Sequence, residues 1–264
     1  MHAFKYHRAS SASEAASIVA KNGEARFLAG GQSLVQMMKL RFVSPSDLVD
    51  LGAVKDLAGI KVEGPGVTIG AMTRHAEVAG SADVKKAIPA LAALAGMIGD
   101  RQVRNMGTLG GAVAHADPAS DYPAAVLGLG ATINTNKRKI AADDYFKGMM
   151  ETALQPGELI TSVTFPTAKR AAYMKFKNQA SRFAIVGVFV AETASGVRVA
   201  VTGAGPCVFR SKELEAALSK SFTAQAAAGV KVSDKGLNRD LHASPEYRAH
   251  LITVMAKRAV QSIA

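Results

Sequence analysis

Two short segments of this 264-residue chain place adjacent glycines beside a hydroxyl side chain: Ala29, Gly30, Gly31, Gln32 and Ser33, and then Gly107, Thr108, Leu109, Gly110 and Gly111. No other feature constrains the fold as much. Glycine reaches φ > 0 and lets backbone amides approach a ligand with no Cβ in the way. Successive amides in such turns form a concave anion site. A helix is expected after the first pair, from Leu34 to Leu40, with Ser33 suited to its N-cap. Its free amides and positive dipole end would add to that site. Two such loops from different lobes could clamp the pyrophosphate of a dinucleotide. The same residues also suit ordinary tight turns, and glycine chemistry alone leaves both readings open.

The surrounding pattern divides the chain into three. Phe4 to Arg8 reads as a strand, Ser11 to Glu14 as a capping box opening a helix that stops at Asn22-Gly23, Arg26 to Leu28 as a buried strand, and Asp47 to Leu51 as another. This makes a βαβ-like lobe over 1–57. A second lobe over 58–170 has strands at Val67 to Ile69, Ala131 to Thr135 and Leu159 to Phe165. Its helices are expected at Thr73 to Ala79, Asp83 to Met97 and Asp117 to Leu129. The last third, 171–264, is a β-rich meander (Tyr173 to Lys177, Ala184 to Glu192, Val197 to Thr202), followed by helices at Ser211 to Ser219 and Glu246 to Ile263.

Several chemistries are excluded. Cys207 is the only cysteine, so neither an intramolecular disulfide nor a four-cysteine cluster can form on this chain. Any redox carrier bound here must then be organic. The six histidines show no HExxH pattern, and His115 with Asp117 is read as structural rather than as a metal pair. Gly128 and Gly130 lack the third glycine of a dinucleotide fingerprint and lead into a strand where a helix should start. Val35 stands where a nucleophile elbow starting at Gly31 needs glycine. The net charge of +11 is spread out, and its one tight cluster, Asn136 to Lys139, reads as a hairpin turn. With 6% aromatic residues there is no RNA-recognition motif, so the charge is assigned to an anionic cofactor and acidic partner subunits rather than to nucleic acid. No apolar run approaches the roughly 18 residues of a membrane span, and a cytoplasmic location is the default expectation.

Ala29 to Ser33 with Leu34, Asn105 to Gly111, Asp117 to Asp121, and Ser244 to Arg248 together resemble the flavin-binding medium subunit of carbon monoxide dehydrogenase and xanthine dehydrogenase-like molybdenum hydroxylases. The resemblance runs along essentially the whole chain. It implies an α+β protein: a two-lobed FAD-binding domain of the vanillyl-alcohol-oxidase-like type, then a C-terminal domain of a three-stranded sheet and helices. By the same resemblance Gly30 to Val35 and Thr108 to Gly111 would hold the FAD pyrophosphate, and Asp121 would accept a hydrogen bond from the cofactor. Tyr173 would place its ring beside the isoalloxazine, with Lys175 a basic contact nearby and Ile98 and Ile160 apolar neighbours of the flavin. Ala112 departs from the pattern, standing where the family usually has Asn.

The function implied by the resemblance is electron relay. FAD on this chain would collect electrons from the [2Fe–2S] clusters of a small subunit, after a large molybdopterin subunit has oxidised the substrate, and pass them to an acceptor. Ser181 to Ala184 resembles the carbon monoxide dehydrogenase type more than the NAD-reducing type, which implies quinone or another non-NAD acceptor. No catalytic nucleophile or base is expected here, because the flavin carries the chemistry. The assembly expected is a heterotrimer or its dimer. An assembly subunit with weak FAD binding and a stand-alone flavin oxidase are the alternatives.

Overall fold

Residues 1–263 are described by the structure, a computed structural model. The N-terminal lobe consists of β1 (Lys5–Arg8), α1 (Ala12–Lys21), β2 (Arg26–Leu28), α2 (Leu34–Lys39) and β3 (Asp47–Asp50). Its three strands are parallel in the order β1-β3-β2. Ser11 caps α1 by accepting the Glu14 amide at 3.1 Å. The Glu14 carboxylate reaches back to the amide of Ser10 (2.8 Å) rather than that of Ser11, so the reciprocal half of the box sits one residue further out. Ala15 and Val19 of α1 pack with Val49, Leu51 and Leu57 into a small core.

The second lobe holds β4 (Ile60–Glu63), β5 (Gly66–Gly70), α3 (His75–Gly80), α4 (Ala82–Ala87), α5 (Pro89–Gly96), α6 (Arg101–Met106), α7 (Leu109–His115) and α8 (Tyr122–Leu129). It continues with β6 (Thr132–Thr135), β7 (Lys139–Ala141), α9 (Ala142–Tyr145), β8 (Phe146–Gly148), β9 (Glu151–Thr152) and β10 (Ile160–Pro166). Five strands make an antiparallel sheet ordered β4-β5-β10-β6-β7, and β8 and β9 form a separate ribbon. The single helix expected from Asp83 to Met97 is broken. Pro89 has no amide to donate and starts α5, while Ile88 before it is extended (φ −144°). The helix expected from Asp117 starts only at Tyr122, because the Asp117 carboxylate accepts the Ala119 amide (2.8 Å) and closes a turn instead. The hairpin turn at Asn136–Arg138 does join β6 to β7, although Arg138 is not simply solvated: it pairs with the buried carboxylate of Glu158 at 3.1 Å.

The C-terminal unit is an antiparallel meander of β11 (Arg170–Lys177), β12 (Ala184–Thr193), β13 (Gly196–Thr202) and β14 (Phe209–Arg210), with α10 (Lys212–Lys220), α11 (Ala224–Ala228) and α12 (Pro245–Gln261). A two-residue fourth strand thus extends the three expected, and α11 was not expected. Alternation along β12 serves two cores. Val186, Val188 and Val190 face α10 and α12, and Phe189 and Ala191 join the core of the second lobe. That second face rests on α8, whose eight residues are all buried. A helix apolar on every side belongs in the interior, and α8 fills the space between the two sheets.

Candidate functional site

The first glycine segment lines a cleft of about 450 Å³ between the two N-terminal lobes. It leaves β2 at Leu28 and turns at Gly31, where φ is +70°, in the left-handed region that favours glycine. Among the described residues, the amides of Gly30, Gly31, Gln32 and Ser33 have no hydrogen-bond acceptor in the protein. Four successive unpaired donors on one wall of a cleft form an anion-binding surface. Ser33 occupies the N-cap position of α2 but makes no capping bond, so its hydroxyl is also free. Because α2 has only six residues, the loop amides rather than a helix dipole supply the positive potential. Gly30 has a different job. A Cβ there would overlap the Met106 carbonyl, and its absence lets the loop press against the α6–α7 junction.

The second glycine segment corrects the expectation of a matching loop. Gly110 and Gly111 lie in the first turn of α7, and their amides are already used. Leu109 donates to the Thr73 carbonyl (3.0 Å), Gly110 to Ala71 (2.8 Å) and Gly111 to the Thr108 hydroxyl (3.2 Å). A Cβ on Gly110 would run into Ala71, so this glycine serves the packing of α7 on the strand end. The Leu109 side chain is fully buried in the core. Thr108, Gly110 and Gly111 nonetheless line the cleft opposite the first segment, and Thr108 keeps its hydroxyl proton to donate. Val35 packs over Gly31, whereas Leu34 and Ile160 line the cleft.

A second cluster lies at the far end of α6, where the 97–99 turn, the turn before α8 and β11 meet. Asp121 is at the N-cap position of α8 yet does not cap it, since its carboxylate is engaged elsewhere. It accepts from the Tyr173 hydroxyl at 2.6 Å and pairs with Lys175 Nζ at 2.9 Å. Both charged side chains are nearly sealed, Lys175 at 2% and Asp121 at 4% exposure. Burial pushes the Asp121 carboxyl above its ordinary value, against the opposing pull of Lys175 and Tyr173. Lys175 also donates to the Met97 carbonyl (3.0 Å), which ties the cluster to the turn that carries half-buried Ile98. Tyr173 turns its polar edge, not its open face, to this cluster. The ring is buried beside Phe189, with centroids 6.3 Å apart, and its polar tip faces Asp121.

Sequence reasoning missed His75, Met37, Val43, Met150 and Leu154, which also line the cleft. Their positions follow from how the lobes meet, a long-range property with no local motif. His75 is buried beneath Gly107 with Nδ1 unpartnered, and burial lowers it to about 4, helped by Arg104. His115, at the end of α7, lines the same cleft 4.0 Å from Asp117. Among the described residues no group of three or more potential ligands could hold a metal, and no helix is long and apolar enough to cross a membrane.

Known proteins resemble this chain along nearly its whole length. Residues 2–168 match the family model of the FAD binding domain in molybdopterin dehydrogenase, and residues 171–263 that of the CO dehydrogenase flavoprotein C-terminal domain. The carbon monoxide dehydrogenase medium chain of Hydrogenophaga pseudoflava is 34% identical, over 98% of this chain and 96% of its own. The glyceraldehyde dehydrogenase medium chain of Sulfolobus acidocaldarius is 38% identical, over 80% of this chain and 79% of its own. Among solved structures, reconstituted CO dehydrogenase from Oligotropha carboxidovorans superposes with a TM-score of 0.92 at 33% identity, covering 98% of this chain and 97% of that one.

Proposed function

The chain belongs to the FAD-binding medium subunits of the molybdenum hydroxylase family, and on that premise we propose that it is the electron-relay subunit of a heteromeric dehydrogenase, receiving electrons from iron–sulfur clusters on a small partner subunit and delivering them to an external acceptor. The substrate is oxidised at a molybdenum centre on a large partner subunit. The observation that carries this reading is the row of unpaired amides from Gly30 to Ser33 in the inter-lobe cleft. Those donors fit a diphosphate, whose oxygens accept hydrogen bonds and carry negative charge.

The residues divide by task. Ala29 to Leu34 form the diphosphate wall, backed by Val35 against Gly31, with the Thr108 hydroxyl and the Gly110–Gly111 turn opposite. Ile160 supplies apolar surface on the cleft wall, and Ile98 supplies it at the Asp121 end. Asp121, fixed by Tyr173 and Lys175, has lone pairs left for one donor of the isoalloxazine end. Bound there, FAD supplies a centre that accepts electrons singly or in pairs. The chain itself binds and orients it, excludes water and sets the local charge. The lobes 1–57 and 58–170 carry the cofactor, and 171–264 brings Tyr173 and Lys175 to it.

Titrating flavin-free protein with FAD tests this reading, with protein-dependent quenching of flavin fluorescence as the signal. Saturable one-to-one binding is expected, weakened at least about tenfold in Gly31→Val, since a β-branched residue resists φ > 0 and its Cβ would press on Val35, so the loop that presents the amides must shift. FMN should bind far more weakly, because it lacks the diphosphate. Equal affinity of wild type and Gly31→Val, with FMN as good as FAD, would overturn the assignment of this wall.

A further inference from the structure

We propose that Thr202, at the end of β13, is a positioning residue for the flavin site. It fixes the turn that presents Asp121, and so makes the C-terminal sheet a working part of the FAD-binding domain. The inference rests on the reading of Asp121 as a cofactor contact.

Thr202 is fully buried, and its hydroxyl lies 2.9 Å from the Pro118 carbonyl and 2.7 Å from that of Ser120. Two backbone amides act beside it. Gly203 donates to Pro118 at 2.7 Å and Ala184 to Ala119 at 3.3 Å. Three consecutive carbonyls immediately before Asp121 are therefore held by donors from the C-terminal sheet. Within the 117–121 turn itself two hydrogen bonds precede Asp121, from the Ala119 amide to the Asp117 carboxylate (2.8 Å) and from the Ser120 amide to the Asp117 carbonyl (3.0 Å).

The sheet register shows why Thr202 is suited to this. Lys175 of β11 pairs across to Gly187 of β12, and Gly187 pairs across to Thr202 of β13. Residues directly opposite on neighbouring strands share a face. One row therefore presents a cation, a bare backbone position and a hydroxyl to the same turn. A Cβ on Gly187 would overlap the Tyr173 hydroxyl and crowd the Thr202 methyl. The gap at Gly187 thus admits the Tyr173 hydroxyl to its bond with Asp121. Lys175 and Tyr173 hold the carboxylate of Asp121, and Thr202 holds its backbone. At Gly203, φ is +82° and a Cβ would overlap the Ala184 carbonyl, so the chain can leave β13 in this direction only with glycine. Arg248, buried at the start of α12, donates to the Ile185 (2.6 Å) and Gly203 (3.0 Å) carbonyls and locks that exit.

Thr202→Val keeps the shape and removes the donor, and Thr202→Ser restores it. FAD affinity and the visible absorption and circular dichroism of bound flavin are to be measured on wild type and both variants, with thermal melts of the flavin-free proteins. Expected is a loss of about tenfold in FAD affinity and a shifted flavin spectrum in Thr202→Val, with both returning towards wild type in Thr202→Ser. Asp121→Asn should shift the spectrum in the same sense, and combining it with Thr202→Val should add little. Wild-type affinity and spectrum in Thr202→Val would overturn the inference while leaving the function proposal intact. So would a melting change shared by Val and Ser with no spectral effect. Absence of FAD binding by wild type would instead remove the functional reading beneath it.

Discussion

The Tyr173 hydroxyl donates to the Asp121 carboxylate at 2.6 Å, across 52 residues of sequence and across the boundary between the two matched family regions. Asp121 thereby gives up the helix cap that its position invites. A capping bond contributes about 1 kcal/mol, less than leaving this carboxylate unpaired in the interior would cost. The hydrogen bond, the Lys175 ion pair and the Thr202 contacts together make the C-terminal sheet inseparable from the turn at the end of α7.

Lys175→Met tests how much that pair carries. Removing one partner of a sealed ion pair leaves an uncompensated charge and typically costs about 3–5 kcal/mol. The Asp121 carboxyl, already raised by burial, should rise further in the variant. The folded protein then holds that proton more tightly than the unfolded chain, whose carboxyl titrates near about 3.9. This stabilising contribution is complete below that value and is lost as pH rises through the folded one. Denaturant melts of Lys175→Met should therefore show stability falling, relative to wild type, as pH is raised from the acid side. A constant difference across pH would contradict the assignment of Asp121 as the titrating group.

The two glycine pairs should separate cleanly. Gly110→Ala drives a methyl group into Ala71, an overpacking error worth about 1–3 kcal/mol. It should lower the melting temperature with or without FAD. Gly31→Ala adds a methyl against a γ-methyl of Val35 at a positive-φ position, with about 1 kcal/mol of backbone strain. Its chief effect should be on FAD affinity. Melts with and without FAD distinguish them: an FAD-specific loss in Gly110→Ala with an unchanged flavin-free melt would reverse the roles assigned here.

How much of this was legible in the sequence depends on the range of the interaction. The Leu34 and Ser11 helix starts and the alternating valines of β12 are local signals, and they led to the correct elements. Pro89 was a local signal too, overridden in reading by the Ala- and Leu-rich run around it. The first glycine loop could be found because glycine beside hydroxyl is a local requirement. What those glycines do was not legible. Gly30 and Gly31 differ in backbone angle, with positive φ at Gly31 alone, and in what lies opposite, Met106 for one and Val35 for the other. Likewise the commitment of the Leu109 and Gly110 amides depends on Thr73 and Ala71, more than 30 residues away in sequence. His75 joined the cleft through the same packing of α3 beneath Gly107, with no motif to mark it.

His75 gives a prediction of opposite sign to that of Asp121. Burial lowers it to about 4, so it is neutral across the physiological range. The unfolded chain, near about 6.5, takes up its proton first as pH falls. Its contribution is thus present above that value and is lost as pH falls towards the folded one. It amounts to roughly 3 kcal/mol between neutral pH and pH 4, from 1.36 kcal/mol per unit. His75→Phe removes the titrating group and its unpartnered Nδ1, and should flatten the acid limb of stability against pH. Imidazole resonances of His75 should show no titration between pH 6 and 8. A midpoint in that interval would show that the ring is not sealed as described.

The last prediction concerns partners. Purified alone and loaded with FAD, the chain should not oxidise purines, aldehydes or carbon monoxide. Cys207 is its only cysteine, so it cannot anchor an iron–sulfur cluster by four thiolates, and among the described residues no cluster of metal ligands is present. The proposed relay takes its electrons from another polypeptide, and several relatives are themselves named as medium chains of dehydrogenases. Co-expression with the genes beside its own, followed by size exclusion and a dye-reduction assay, should yield a complex with substrate-dependent turnover. Thr202→Val in that complex should slow dye reduction without releasing the partners, because its contacts are internal to this chain. Substrate-dependent reduction by the isolated chain, free of iron and molybdenum, would refute the relay and make it a self-sufficient flavoenzyme.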